Sequence, residues 1–415
     1  MWGPPAWAVD PLVKVFRDTE APEGTSPVVS LRACRNEYVS GQIAVRSPLA
    51  VAALTARWDG LRHRTSDYAL PDDALRVRFV GFVPVKENTP QTPENLLLFE
   101  APKECPDPLL DAETVNLEAD RTQPVWLTVF VPADAPAGDY EGRVMLSAGE
   151  ASIPASVSLH VDPFVLPDAR TVWVTNWFSA GRIAGYHDVE PWSEEHWTLL
   201  ERYARNMAEH RQNVVLTPLS LVEIAREEDG RLTFDYARFD RWVRLFEEAG
   251  AIGRIELGHT AHHGEGGWSS EAFILNDVNA LDRRTGKTVS LPSDEGLAPL
   301  LRALQRHLEE RGRLDRTMIH IGDEPALHNI DSWRKASAFV QACAPRIPRI
   351  EAIESRDYYG VLEMWVPKLN YIPTWGEDYR EAQAAGNEMW YYTCLHPRGR
   401  YPNRLLDMPL AATRV

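Results

Sequence analysis

The spacing of apolar residues changes once along this chain, near residue 170, and this change limits the possible folds more than any other feature. Before it, apolar residues recur at every second position, as in the run from Ala155 to Val161. This period of two is typical of half-buried strands, and proline- and glycine-rich turns separate the short runs. The sequence therefore predicts an antiparallel β-sandwich over residues 1–168, with a long polar loop over residues 87–120.

Beyond residue 170, short apolar strands alternate with amphipathic helices. Trp197, Leu200 and Ala204 share one helical face, and Ser193 precedes them as a suitable N-cap. Seven strands, each followed or nearly followed by a helix, predict a (β/α)₈ barrel over residues 169–415. An open doubly wound sheet fits less well, since its glycine-rich first turn is missing. The predicted strands cover residues 171–177, 213–216, 252–257, 318–321, 349–353, 364–366 and 388–392.

A complete barrel needs eight strands, so we expect this barrel to lack its last strand within the chain. The predicted fold class is therefore multidomain, with a β domain followed by an incomplete α/β barrel.

Charge and cysteine spacing exclude several classes of protein. Lysine and arginine number 44 against 60 aspartate and glutamate residues, a net charge of −16. So acidic a chain is not expected to bind nucleic acid or an anionic membrane, and no apolar run approaches the roughly 20 residues of a membrane span. Four widely spaced cysteines exclude a disulfide scaffold. No signal peptide pattern is visible, so we predict a cytoplasmic protein, or a secreted one if the N-terminus is incomplete.

Two adjacent carboxylates, Asp323 and Glu324, carry the sharpest functional signal. They follow the fourth predicted barrel strand, and active sites of such barrels lie at the carboxyl ends of the strands. Two neighbouring carboxylates push each other's pKa values apart, so that one can hold a proton while the other stays anionic. Glycosidic cleavage needs such a pair. The alternative interpretation is that these acids cap the helix that follows.

Three histidines, His259, His262 and His263, follow the third predicted strand and open a loop that runs to about Pro292. No carboxylate stands at metal-binding spacing beside them, so we predict a polar pocket wall and neither a metal nor a cofactor. The loop contains Trp268, and it is either a substrate lid or a solvated insertion.

Residues near the end of the chain are open to two interpretations. Cys394 is either a nucleophile or a packed cysteine. Trp390, Tyr392 and Tyr401 form either a platform on which sugars stack or part of the barrel interior. Neither a nucleophile-turn motif nor a phosphate-binding loop motif occurs in the sequence.

Several short stretches occur together in one order along nearly the whole chain. They are residues 131–142, 164–167, 320–325 and 390–394, with 401–403 beyond. Together they resemble glycoside hydrolase family 123, including relatives assigned to domain of unknown function 4091.

The resemblance implies a β-sandwich followed by a catalytic barrel, and a glycan or glycoconjugate substrate. Characterised relatives release terminal N-acetyl-β-D-galactosamine with retention, using the substrate's own 2-acetamido group as nucleophile. By that analogy Asp323 orients the acetamido group, and Glu324 is the general acid and base. The candidate substrate-binding residues are Asn176, Trp177, His259, Trp268, Trp390, Tyr392, Tyr401 and Asn403.

Two other functions stay open on the sequence. In a two-carboxylate retaining glycosidase, Glu324 would be the acid/base and a later strand would supply the nucleophile. Strand seven offers only Glu388, at the wrong end of the barrel. A carbohydrate-binding protein without catalytic activity is the alternative from a different class. The oligomeric state is left open.

Overall fold

The computed structural model describes residues 5–88 and 99–393, which form two compact units that divide after Ala169. The first unit contains ten strands: β1 (Ala6–Val9), β2 (Val28–Arg35), β3 (Glu37–Ser47), β4 (Val51–His63), β5 (Leu75–Val85), β6 (Lys103–Leu110), β7 (Thr114–Leu117), β8 (Arg121–Val131), β9 (Gly138–Ala148) and β10 (Ala151–Val165).

These strands form two five-stranded sheets, in the orders β1-β3-β8-β5-β6 and β2-β10-β9-β4-β7. Apolar side chains from both sheets, among them Leu127 and Leu159, share one buried core. Strand β10 alternates buried and exposed residues from Ala155 to Val161, as its sequence period predicts. All pairs are antiparallel except β2 with β10, which is parallel. The first unit is therefore a sandwich with one parallel pair.

The prediction of a long loop over residues 87–120 is wrong. Strand β6 pairs with β5, and β7 pairs with β4, so this stretch extends one edge of each sheet. Prolines at positions 106 and 108 hid the strand in the sequence. Strand β6 lies at the edge of its sheet, where proline is tolerated because no ladder hydrogen bond is lost.

The second unit is built on a parallel sheet. Its strands, in spatial order, are β11 (Val214–Thr217), β14 (Arg254–Leu257), β19 (Thr317–His320), β20 (Arg349–Ile353), β21 (Met364–Pro367) and β22 (Glu388–Met389). The helices are α1 (Ala180–His187), α2 (Glu194–Glu209), α3 (Ala237–Glu248), α4 (Leu297–Glu310), α5 (Ile330–Cys343) and α6 (Ile372–Ala384).

Local signals account for the helix ends. The side chain of Ser193 accepts a hydrogen bond from the backbone of His196, which confirms it as the N-cap of α2. Gly250 follows α3 with a φ of +76°, a left-handed conformation that favours glycine. Trp197, Leu200 and Ala204 are buried on one face of α2, as predicted. Among the described residues, no helix is both long and apolar enough to cross a membrane.

The parallel sheet is curled. Arg254 begins β14 and Glu388 begins β22, and their side chains form an ion pair of 2.5 Å. Three strands lie between them, so in a flat sheet they would be about 19 Å apart. Apolar residues from several strands, such as Val214 and Met364, cluster together with Trp173 and Trp390.

A complete eight-stranded barrel is not formed by residues 5–88 and 99–393. The predicted first strand, 171–177, is reduced to a single bridge between Thr175 and Val214. The side chain of Asn213 accounts for this, because it binds the backbone N–H of Val174 and the carbonyl of Val172. Those hydrogen bonds replace the regular ladder. The other six predicted strands are present, although the last is only two residues long.

The segment between β14 and α4 contains strands instead of one long loop. It holds the hairpin β15 (Ala261–His263) and β16 (Phe273–Leu275), followed by β17 (Val278–Asp282) and β18 (Lys287–Leu291). The last two strands join β12 (Glu223–Arg226) and β13 (Leu232–Asp235) in a separate four-stranded sheet, ordered β13-β12-β17-β18. The prediction of a 259–292 loop is therefore wrong. Short strands such as β15 lack enough residues to show a period.

Candidate active site

Asp323 and Glu324 follow β19 on a turn with two unusual features. A Cβ on Gly322 would lie 2.4 Å from the ring of Phe273, so only glycine fits there. Glu324 has a φ of +45°, a left-handed conformation that is uncommon outside glycine. Strained backbone of this kind occurs often at functional sites. The helix-cap interpretation is wrong, because α5 begins only at Ile330 with Asn329 as its N-cap residue.

Asp323 is held in a partly buried position near other carboxylates. Burial, followed by repulsion from Glu351 and Glu324, raises the pKa of Asp323 to about 7. His263 donates a hydrogen bond from Nε2 to the Asp323 carbonyl at 2.8 Å, which ties the turn to β15. Near neutral pH, Asp323 can therefore exist in either protonation state.

Glu324 is held by residues that follow the next strands of the sheet. The hydroxyl of Tyr392, beyond β22, donates to the Glu324 carboxylate. Lys368 Nζ, beyond β21, lies 3.7 Å from Glu324 Oε1. Burial and the hydrogen bond to Glu324 raise the pKa of Tyr392, so its hydroxyl keeps its proton and stays a donor. The Glu324 carboxylate thus has one neutral donor and one cation beside it.

A third carboxylate, Glu354, lies in the same cluster. Its Oε1 forms an ion pair of 2.5 Å with Lys368, and its Oε2 accepts a hydrogen bond of 3.2 Å from Tyr371. Because Lys368 contacts both Glu354 and Glu324, the two contacted oxygens are at most about 6 Å apart. Both carboxylates are partly exposed, with side-chain accessibilities of 18% for Glu324 and 29% for Glu354.

Beneath the turn, three ionisable side chains are buried between neighbouring strands. His320 Nε2 lies 2.7 Å from Glu256 Oε1, and His320 Nδ1 lies 3.4 Å from Glu351 Oε1. Burial opposes ionisation of the imidazole, but hydrogen bonds and attraction from both carboxylates outweigh it and raise the pKa of His320. His320 is therefore charged, and we call Glu256, His320 and Glu351 the buried triad.

Two predicted sugar contacts lie around the buried triad. The indole of Trp177, which is 43% exposed, donates to Glu256 Oε1 at 3.0 Å. His259 packs against Trp177 and His320, with ring centroids 5.0 and 4.8 Å away. Burial, followed by repulsion from His320, lowers the pKa of His259 to about 4, so its ring is neutral. These residues form one wall of polar and aromatic groups.

Trp268 lies close to the Asp323 turn. Its indole is 59% exposed and contacts the ring of His263, with centroids 4.5 Å apart. His263 in turn binds the Asp323 carbonyl. His262, the next residue along β15, points elsewhere and pairs with Asn276. The described residues contain no group of three or more side chains arranged to hold a metal ion.

A groove of about 1320 Å³ is lined on one side by His259 and His262. Its other walls come from β12, β13, β17 and β18, with Asn279 on β17, and from Arg238 at the start of α3. A volume above the usual range of roughly 300–1,000 Å³ for small-ligand pockets can hold more than one sugar residue.

Other predicted residues are not brought to the carboxylates. Asn176 is exposed and hydrogen-bonds to the side chain of Gln212. The indole of Trp390 donates to Glu388 at 2.8 Å, toward the starts of the strands. Glu388 lies at that same end through its ion pair with Arg254, as the sequence predicts. Tyr401, Asn403 and Cys394 lie outside the described residues.

Five residues of this region were missed on the sequence as members of the site: Glu256, Glu351, Glu354, Lys368 and Tyr371. A signal existed for two of them, since Glu256 and Glu351 are charged residues in the middle of apolar strands. Such residues are rarely buried unless they are paired. A signal also existed for Glu354 and Lys368, which directly follow the ends of β20 and β21. Sequence spacing does not reveal that these two residues and Tyr371 come together.

The site offers neighbouring acids at the carboxyl ends of parallel strands, an arrangement typical of enzymes that cleave glycosidic bonds. Comparison with known families agrees. The model of the glycoside hydrolase 123 catalytic domain matches residues 177–415, and that of the glycoside hydrolase 123 N-terminal domain matches residues 13–148. The chain therefore belongs to glycoside hydrolase family 123 and is a glycosidase, with a glycan as its substrate. No curated protein matches it.

Among solved structures, a family 123 glycoside hydrolase from Clostridium perfringens, studied for glycolipid glycan hydrolysis, is similar with a TM-score of 0.70. It is 16% identical, and the match covers 88% of this chain and 68% of the other. At this identity the similarity supports the fold alone. A β-glucuronidase from Parabacteroides merdae has a TM-score of only 0.27 at 9% identity, covering 86% of this chain and 38% of the other, which does not establish a shared fold.

Proposed function

We propose that this glycosidase cleaves terminal 2-acetamido-2-deoxy-β-glycosides of glycans or glycoconjugates, with retention and with the substrate's acetamido group as nucleophile. The observation that carries the proposal is the pair Asp323 and Glu324 in two different environments. Asp323 is partly buried beside Glu351, and its pKa is raised to about 7. Glu324 is partly exposed and held by Tyr392 and Lys368. Different environments suit two carboxylates with different tasks.

In the first step, the acetamido oxygen attacks C1 as the bond from C1 to the leaving oxygen breaks. Glu324 transfers its proton to that oxygen, while Asp323 accepts a hydrogen bond from the acetamido N–H. The product is a bicyclic oxazolinium ion. In the second step, water attacks C1, Glu324 takes the water proton, and the C1–O bond of the oxazolinium ring opens. Two inversions at C1 leave the β configuration of the sugar unchanged.

The raised pKa of Asp323 is useful in this mechanism. A carboxylate of pKa about 7 is a stronger base than ordinary aspartate, so it attracts the acetamido proton more strongly. That attraction makes the acetamido oxygen more nucleophilic. The positive charge on the oxazolinium ion then favours the ionised form of Asp323.

The test compares nitrophenyl glycosides of N-acetyl-β-galactosamine, N-acetyl-β-glucosamine and plain β-galactose. We expect release of nitrophenol from an acetamido sugar and none from the plain galactoside. A thiazoline analogue of the oxazolinium ion should inhibit competitively. Turnover of the plain sugar at a similar rate, without inhibition by the thiazoline, would overturn the proposal.

A two-carboxylate retaining mechanism is the second candidate, and Glu354 favours it. Retaining enzymes of that type hold their two carboxyl groups about 5–5.5 Å apart. The contacted oxygens of Glu354 and Glu324 are at most about 6 Å apart. Glu354 is a better nucleophile candidate than Glu388, which lies at the other end of the sheet.

The Glu354→Gln variant separates the two mechanisms. If the acetamido group is the nucleophile, this variant still forms its product through the oxazolinium ion at an undiminished rate. Added azide does not change that product. If Glu354 is the nucleophile, the variant loses almost all activity, and azide restores turnover as an inverted glycosyl azide. Glu388→Gln serves as the matched control, with an activity near wild type in both cases.

A further inference from the structure

The buried triad is an unusual arrangement for a protein interior. Glu256, His320 and Glu351 are 1%, 2% and 0% exposed, and they come from the adjacent strands β14, β19 and β20. Charged groups are expensive to bury, even in pairs, and a well-packed apolar core is often equally stable. A contribution to stability therefore does not by itself explain three ionisable groups at this point.

Each end of the buried triad holds a different part of the candidate active site. Glu351 Oε2 accepts hydrogen bonds of 2.8 Å from the backbone N–H of Gly322 and from the indole of Trp333. Gly322 directly precedes Asp323, so Glu351 holds the turn at the peptide one residue before Asp323.

At the other end, Glu256 Oε2 accepts a hydrogen bond of 2.7 Å from Thr175, and Glu256 Oε1 accepts one of 3.0 Å from Trp177. Glu256 thus fixes the orientation of the exposed indole. His320 connects the two carboxylates, since each ring nitrogen faces one of them.

We propose that the buried triad is a positioning device, in which Glu351 orients Asp323 and Glu256 orients Trp177 without either carboxylate touching the substrate. The inference rests on the proposed function, because it takes Asp323 as a group that contacts the acetamido sugar. Misplacement of a reacting group by about 1 Å can lower a rate about 100-fold. The buried triad would therefore act on kcat more than on KM.

The charges in the buried triad also make single Glu→Gln variants suitable for experiments, because no charge is left unpaired. Two carboxylates and one imidazolium carry a net charge of −1. Replacing Glu351 by Gln leaves His320 paired with Glu256, a neutral pair, so the variant does not bury an uncompensated charge. The same holds for Glu256→Gln, in which His320 stays paired with Glu351.

The first test measures Asp323 directly and needs no substrate. In protein with ¹³C-labelled aspartate carboxyl groups, the resonance missing from Asp323→Asn identifies Asp323, and its pH titration is followed by NMR. We expect the midpoint to fall by about one pH unit or more in Glu351→Gln, because one repelling carboxylate is gone. The other titratable or charged groups that face Asp323 are unchanged: Glu324, His320, Lys368, His263 and Tyr392.

The second test follows Trp177. Its indole N–H resonance, identified by its absence in Trp177→Phe, should move in Glu256→Gln because its hydrogen-bond acceptor is altered. For both variants we expect kcat on the acetamido glycoside to fall about 100-fold, with KM within about threefold of wild type.

Glu363→Gln is the matched control. Glu363 forms an ion pair of 2.5 Å with the buried Arg349 at the opposite end of β20. This variant should change neither resonance nor kcat, although it also removes an ion pair with a residue of the same strand. An unchanged Asp323 midpoint together with unchanged kcat in Glu351→Gln would overturn the inference. Failure of the wild-type enzyme on every acetamido glycoside would instead overturn the proposed function, while both NMR tests keep their meaning.

Discussion

In the first unit, apolar side chains fill the space between the sheets, and the buried polar residues among those described are the neutral Gln42, Ser47, Thr122 and Gln123. In the second unit, the curled sheet buries Glu256, His320 and Glu351 beside the Asp323 turn. Clusters of apolar side chains make up most of both interiors. The difference lies in the ionisable groups that the second unit carries into its interior, on neighbouring parallel strands.

This comparison shows that the groups that stabilise the fold and the groups of the candidate site have different surroundings. Apolar side chains lose no hydrogen bonds to water when they are buried. A buried ionisable group must instead be paired, or its pKa must shift. The shift at Asp323 is of this kind. Ionisable residues of the first unit, such as Asp139 with His160, pair at the surface instead. Perturbed groups in a cleft mark candidate functional sites, and the partly buried Asp323 and His259, whose pKa values are strongly shifted, lie in the second unit.

The largest effect is expected from the two carboxylates. Asp323→Asn should lower kcat/KM on an acetamido glycoside about 1,000-fold or more, since acetamido participation is lost. Glu324→Gln should lower it by a similar factor for sugar leaving groups and far less for nitrophenol, which leaves without a proton. Steady-state kinetics measures both. The control Asp139→Asn, a surface carboxylate of the first unit, should keep full activity, and wild-type rates in both site variants would refute the roles.

A smaller effect is expected in the apolar interior of the first unit. Leu127 is 0% exposed on β8, so Leu127→Ala should lower the free energy of unfolding by about 3 kcal/mol, from lost burial and the cavity left behind. Urea unfolding followed by fluorescence measures it. The control Leu109→Ala, at a residue 39% exposed on β6, should change the free energy by about 0.5 kcal/mol or less. Equal losses in the two variants would contradict the assigned core.

The pH dependence of the free energy of unfolding also distinguishes the second unit from the first. The folded-state pKa of Asp323 is about 7, above the ordinary value of 3.8. Between these values the folded chain holds a proton that the unfolded chain has lost, so this contribution to stability is complete below pH 4 and is lost as pH rises through 7. Asp323→Asn should lose less stability than wild type between pH 5 and 8, measured by urea unfolding. Parallel curves would show that Asp323 titrates normally.

The smallest effect is expected at a helix end. Ser193→Ala removes the side-chain oxygen that binds the backbone N–H of His196, which should cost about 1 kcal/mol of stability with kcat unchanged. Thermal unfolding measures the loss. Ser152→Ala, in an exposed part of β10, serves as the control and should leave the melting temperature the same. A loss of activity in Ser193→Ala would mean that α2 supports the site, which the comparison does not predict.

Part of the candidate site followed from the sequence. Asp323 and Glu324 could be found because they stand directly after an apolar strand, at a place where parallel α/β folds carry their chemistry. Trp177 and His259 could be found for the same reason, and the structure brings them together. Trp390 could not be assigned either to a sugar platform or to the barrel interior. The preceding strand has only two residues, and its sequence does not show toward which end of the sheet the indole points.

The sequence by itself determined the division near residue 170, the strand period of the first unit and the position of helix α2, because these depend on contacts between residues close in the chain. Only the tertiary structure decided that Glu354 and Lys368 meet Glu324, and that Glu256, His320 and Glu351 form one buried triad. Those contacts join residues up to 64 positions apart, and they arise because a curled parallel sheet brings the ends of successive strands to one place. Local spacing does not encode that approach, and the pKa values that follow from it are therefore properties of the fold.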